Sequence, residues 1–185
     1  MLVFGALVGG ARRLAEADLV VGWSVLSSIF VIVGVAAPLP FGILGYTLVA
    51  VAIPCGVVAY FRFGRVVESD ALRMAALALS LIVLATAMTA SQWDEFTQWL
   101  PNARFLFEHD AFPRQGLAKS PSTFPAYPPG LGLLIYMASR IAGDLVENAG
   151  GLFNLMLVLS FGLVVVRLIS MARAVPGSAP VPGPG

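Results

Sequence analysis

The stretch ALRMAALALSLIVLATAMTASQWDEFTQW, Ala71 to Trp99, decides the fold. Its first 21 residues, Ala71 to Ser91, are almost wholly apolar. A bilayer span needs roughly 20 such residues. The run then ends on two adjacent carboxylates, Asp94 and Glu95, framed by Trp93, Phe96 and Trp99. A soluble helix of this length would alternate apolar and polar faces. This one is apolar all round and ends on the polar and aromatic residues favoured at a membrane surface.

The rest of the chain supports a membrane setting. Hydrophobic residues make up 58% of the 185 and charged residues only 11%, too few to cover a soluble domain. Three further segments have the length and composition of spans: Leu19 to Pro38, Phe41 to Phe61 with Pro54 as a kink, and Leu152 to Ser170. The expected fold is an all-α integral membrane protein with about four transmembrane helices, since backbone groups in lipid must be satisfied within each segment. The opening residues, MLVFGALVGGARR, form too short an apolar run for a span. Their charges follow that run, unlike those of a signal peptide. They predict a short N-terminal helix, either at the interface or as the tail of a longer one.

Arginine placement orients the chain. Arg12 and Arg13 precede the first span, and Arg62, Arg65 and Arg73 lie between the second and third. The connection APLP, residues 37–40, is uncharged. The arginine-bearing ends are therefore expected in the cytoplasm, and Trp93 to Trp99 outside. PPGLGLLIYMASRIAG, residues 128–143, is short for a span and carries Arg140. As an interfacial helix opened by Pro128 and Pro129, it lets the last span run inward and keeps Arg167 and Arg173 cytoplasmic. The expected organisation is spans within 1–91, an extracytoplasmic loop at 92–150 with amphipathic interfacial helices, a last span at 151–173, and an exposed Pro/Gly tail at 174–185. In the loop, Phe96, Trp99, Leu100, Ala103 and Phe107 recur at helical spacing, with Pro101 in a first turn or at a kink.

Composition narrows the chemistry. A net charge of +1 gives no basis for nucleic-acid binding. Cys55 is the only cysteine and His109 the only histidine, so a thiolate or multi-histidine metal site is not expected. The ionisable residues concentrate in the loop. Asp94 and Glu95 mark a helix end in the simplest view. In a functional view, neighbouring carboxylates near low dielectric hold a proton more readily than isolated ones, as a general base near neutral pH requires. Glu108, His109 and Asp110 offer oxygens and one imidazole, a set that suits one divalent cation, the sole cofactor the sequence points to. A solvated loop histidine is the ordinary alternative. Arg104, Arg114 and Lys119 suit a phosphate or pyrophosphate, or else lipid headgroups. Tyr127 and Phe124 could form an aromatic platform for a sugar ring, while the prolines beside them fix a helix start.

Taken together, WDEFTQWLPNARFLFEHDAFP and YPPGLGLLIYMASRIAG, each placed before a further span, resemble the first extracytoplasmic loop of the GT-C glycosyltransferase superfamily. The similarity is to the branch of dolichyl-phosphate-mannose protein mannosyltransferases and their bacterial relatives, and covers roughly Ala71 to Arg173. The resemblance implies a polyprenyl-phosphate sugar donor and chemistry at the extracytoplasmic face of the cell membrane. Asp94 would be the base, with Glu95 as its partner or as an acceptor ligand. Arg104, His109, Arg114, Lys119 and Tyr127 are then the candidate substrate-binding residues. Full members of that family are much longer, so a truncated N-terminal part, or one subunit working with another membrane protein, is equally consistent with the resemblance. Two other classes compete with it. One is a non-catalytic multi-pass scaffold or accessory subunit. The other is a transporter, which the near absence of ionisable residues within the spans disfavours.

Overall fold

The computed structural model describes residues 1–37, 39–64, 69–89, 93, 95–125 and 129–173. Asp94, Tyr127, Pro128, Arg65 and the tail at 174–185 lie outside the described residues. The described residues form helices joined by turns, with no strand among them.

The chain opens on α1, Leu2–Gly9, which folds back along α2, Asp18–Ala36. Glycine makes the close approach possible. A Cβ on Gly5 would stand 2.0 Å from the Asp18 carbonyl oxygen, and one on Gly22 would stand 1.9 Å from the Met1 carbonyl oxygen. Small residues that let helix backbones touch are a common association device in apolar helices. The expected short N-terminal helix thus exists as part of the bundle: its Gly5 and Ala6 are buried. At the start of α2, Arg13 Nε donates to Asp18 Oδ2 at 2.8 Å, and the two side chains are only 10% and 2% exposed. Asp18 also sits in the first turn of α2, where the helix dipole favours an acid.

Next comes α3, Phe41–Phe63, which continues through Pro54 as one helix. Its far end returns to the Arg13 pair, with the guanidinium 4.7 Å from the Phe63 ring centroid. The Arg13–Asp18 pair, the first turn of α2 and the last turn of α3 therefore share one end of the bundle.

The segment expected as a single third span is two helices, α4, Ser69–Leu77, and α5, Leu79–Ala87, bent by 62°. The composition of the halves accounts for the division. α4 carries Ser69, Asp70 and Arg73 beside its apolar residues, whereas α5 is apolar on every side, so the two suit different surroundings. Among the described residues, three helices are long and apolar enough to cross a membrane, or four if α4 and α5 act as one span.

Residues 95–125 and 129–148 pack on the bundle. Glu95–Trp99 forms a single π-type turn, followed by α6, Leu100–His109, with Pro101 in its first turn. The buried residues of α6 are Leu100, Ala103, Phe105 and Leu106, while Phe96 stays exposed and Phe107 is half-buried. The expected stripe is therefore rotated towards Phe105 and Leu106. The helix α7, Gly130–Ala142, starts after Pro129 and closes on Gly143 at φ 81°, the left-handed cap that glycine adopts without strain. Sequence predicted α7 as a surface helix, yet Leu133, Leu134, Ile135, Tyr136 and Ser139 are all buried. The reason is that it has two apolar neighbours. Ile135 meets Leu100 and Ala103 of α6, while Leu133 and Tyr136 join Leu26, Phe30, Phe41 and Leu48 of α2 and α3. Phe41 stands edge-on to Phe30 at 5.5 Å and to Phe112 at 4.7 Å. Each such pair adds about 0.5–1.5 kcal/mol beyond area burial.

The last helix, α8, Ala149–Arg173, packs on α5 and α7 and on the turn at Ala15–Ala17. Trp23 of α2 stands edge-on to Phe153 at 5.5 Å. Only 6% of its most apolar window is buried, and 17% for α2 and for α3. The rest of these apolar sides is left partly or fully exposed by the described residues.

Candidate functional site

The Glu95 turn, α5 and the start of α8 flank an open cleft of about 320 Å³. Leu81, Leu84, Ala85, Met88 and Leu155 form its walls, and Thr89, Glu95, Glu147 and Asn148 its polar rim. Local sequence explains the division. Glu95 follows an apolar helix and Glu147–Asn148 precedes one, so the polar ends of two neighbouring helices meet above their apolar flanks.

Hydrogen bonds hold the rim. The Asn148 side-chain amide donates to the Thr86 carbonyl and ties the start of α8 to the end of α5. The Asn148 carbonyl accepts from Leu152 N at 3.0 Å. Arg104 Nη2 stands 4.0 Å from Glu147 Oε1; both side chains are well exposed, so the pair steers position more than it stabilises. The Glu95 turn is fixed from the other side. Thr97 Oγ1 donates to the Trp93 carbonyl at 3.0 Å, and the Thr97 carbonyl accepts from Thr123 N at 2.9 Å. Ser120 and Ser122 complete that connection: Ser120 Oγ donates to Asn102 Oδ1 at 3.4 Å, and Phe124 N donates to Ser122 Oγ at 3.2 Å. The turn-rich segment of residues 112–125 thus braces the stretch that carries Glu95.

The predicted site residues fall in different places. Glu95 lines the cleft, and Arg104 reaches its rim through Glu147. Asp94 and Tyr127 are outside the described residues. Arg114 lines a separate open cavity of about 320 Å³ beside Gly34–Ala37 and Leu39, and Lys119 is exposed. Phe124 is also exposed, and its carbonyl accepts from Asn102. His109 ends α6, stacked on Phe105 at 4.2 Å with Nδ1 3.2 Å from the Phe105 carbonyl.

The candidate cation set at Glu108, His109 and Asp110 is not brought together. Among the described residues, no group of three or more His, Cys, Asp or Glu side chains is placed to hold a metal. The helix end sends the three apart. Glu108 faces outward, His109 lies on Phe105, and Asp110, in the left-handed region at φ 55°, turns back towards the bundle.

That turn builds a network the sequence did not reveal. Asp110 Oδ1 accepts from Gly42 N at 2.9 Å and from the Tyr136 hydroxyl, while its backbone carbonyl accepts from Phe41 N at 2.8 Å. Burial, and then the bond to Asp110, pushes the Tyr136 hydroxyl well above the usual tyrosine range. Tyr136 therefore stays a donor. This network places the first turn of α3 at the same end of the bundle as α6 and α7. Glu147 and Asn148 were also missed as rim residues. Their position directly before an apolar run, mirroring Asp94–Glu95 after one, was the available signal.

No family model, curated protein or solved structure matches the chain.

Proposed function

We propose that this chain is a multi-pass protein of the cell membrane, with residues 92–150 at the extracytoplasmic face. We further propose that it serves sugar transfer from a polyprenyl-phosphate donor, as a glycosyltransferase or the N-terminal part of one. The observation that carries this proposal is the α5–α8 cleft, whose apolar walls rise to a rim bearing Glu95 and Glu147. Such walls suit an isoprenoid chain, and the rim suits a hydroxyl acceptor. Asp94, next in sequence to Glu95, is the proposed base. It takes the proton from the acceptor hydroxyl as that oxygen bonds to the anomeric carbon. The bond from that carbon to the phosphate oxygen breaks, and polyprenyl phosphate leaves with the electron pair. Glu95 orients the acceptor, and Arg104 offsets charge at the rim.

The test is transfer of radiolabelled mannose from a polyprenyl-phosphate donor in membranes carrying the chain. Asp94→Asn is expected to lower the rate at least ~100-fold, the usual scale for removing a general base. Glu95→Gln is expected to raise the KM for the acceptor more than it lowers kcat. Unchanged transfer by Asp94→Asn removes that residue from the mechanism.

A second reading, an accessory subunit without chemistry, rests on the uncovered apolar sides of α8. It predicts that the chain purifies from mild detergent in a fixed ratio with another membrane protein. Transfer by the chain purified alone would overturn it.

A further inference from the structure

Arg140 stands in the last turn of α7, against the first turns of α3. Its Nη2 packs on the bare Cα of Gly42, where a Cβ would come within 2.9 Å. Its Nε is buried with no hydrogen-bond partner. Among the described residues Arg140 forms no ion pair either. Asp110 lies across Gly42 from it, with Oδ1 engaged by the Tyr136 hydroxyl and Gly42 N and Oδ2 on the Arg140 side but beyond ion-pair distance. A guanidinium nitrogen buried without a partner is costly, and an unsatisfied donor on a cationic group in a native protein usually marks the place of an acceptor.

Beside it runs a shallow groove between α3 and α7, with about 30 Å³ of open room. Gly45, Tyr46 and Val49 line one side; Met137, Arg140 and Ile141 line the other. Its outer edges, Tyr46 and Ile141, are 60% and 76% exposed, so the groove opens sideways from the bundle. An apolar chain alone would fill the walls and leave Arg140 unsatisfied. A free anion would satisfy Arg140 and leave the walls bare.

We infer that the α3–α7 groove holds an anionic phospholipid, its phosphate on the Arg140 guanidinium and its hydrocarbon chain along Gly45, Val49 and Ile141. The planar fork of arginine matches phosphate oxygens, and basic pockets between helices at a membrane surface recognise anionic lipids in this way. The site is separate from the Glu95 cleft, which is walled by α5 and α8. The inference rests on the membrane placement proposed above and not on sugar transfer.

The experiment places the full chain in nanodiscs of phosphatidylcholine with a minority of phosphatidylglycerol, then counts retained lipids by native mass spectrometry. The wild type is expected to retain phosphatidylglycerol in preference to phosphatidylcholine. Arg140→Gln should weaken that retention about tenfold, the scale of a lost charge-assisted hydrogen bond. Gly45→Leu keeps the cation and fills the groove, and should weaken it comparably. A Cβ at Gly45 meets only Phe30 Cζ, at 3.8 Å, so this variant is expected to fold and decides the matter if Arg140→Gln does not. Wild-type retention by either folded variant, or full displacement by inorganic phosphate, overturns the inference. A chain that never enters nanodiscs overturns the membrane placement and this inference with it. One that enters and shows no headgroup preference overturns this inference alone.

Discussion

Two aspartates, Asp18 buried and Asp110 partly buried, sit at opposite ends of the bundle, and they are satisfied in different ways. Asp18 is paired with a cation, Arg13, five residues away. Asp110 takes neutral donors, Gly42 N from 68 residues away and the Tyr136 hydroxyl from 26. The first arrangement folds locally, within one turn and the helix it opens. The second cannot form until α3, α6 and α7 have come together. The contrast separates two tasks: Asp18 starts a helix, whereas Asp110 locks three elements at the end that carries the candidate cleft.

The comparison breaks most readily at Asp18. Asp18→Ala leaves Arg13 buried without its partner and is expected to cost about 3–5 kcal/mol, read as a lowered midpoint in detergent unfolding. Asp18→Asn should recover little, because Arg13 needs the charge. Next in size is Asp110→Ala, at about 2–3 kcal/mol. It strips an acceptor from two buried donors and puts an alanine into the left-handed conformation. Here Asp110→Asn should recover most of the loss, since asparagine keeps an acceptor and tolerates that backbone. Equal recovery at both sites would erase the distinction drawn between a charge partner and an acceptor.

A smaller effect sharpens the same point through pH. Tyr136→Phe is expected to cost about 1–2 kcal/mol by leaving Asp110 short of a donor. The folded state raises the Tyr136 pKa above the ordinary 10.0. The stability this contributes is complete below about pH 10 and falls as pH rises further, because only the unfolded chain ionises there. Alkaline unfolding curves should show this loss in the wild type and lack it in Tyr136→Phe. The smallest effect is a control. Arg73 and Asp70 are 79% and 69% exposed, with Nη1 3.4 Å from Oδ1. Arg73→Ala should change the midpoint by no more than about 0.5 kcal/mol.

Much of the fold was legible in the sequence because hydrophobic length is a local signal. α2, α3 and α8 stand within a few residues of the expected spans, and Gly143 and Pro129 bound α7 as their chemistry requires. The bend between α4 and α5 was not legible, since neither glycine nor proline stands there to mark it. The candidate site was legible only in part. Glu95 could be picked out because it follows an apolar run into an aromatic frame. His109 was picked out for its chemistry alone, and packing against Phe105 gave it a different place.

The sequence by itself determined that the chain is helical, where its long apolar helices run, and that its ionisable residues gather between α5 and α8. Those properties follow from composition and from each segment's own backbone. Tertiary structure alone decided which polar groups meet. It brought Glu147 and Asn148 to the cleft with Glu95, turned Asp110 away from His109 towards Tyr136 and Gly42, and left Arg140 without a partner. The physical reason is range. Hydrophobic burial acts on whole segments and is read from their composition, whereas a hydrogen bond or ion pair depends on a few tenths of an ångström between residues distant in sequence.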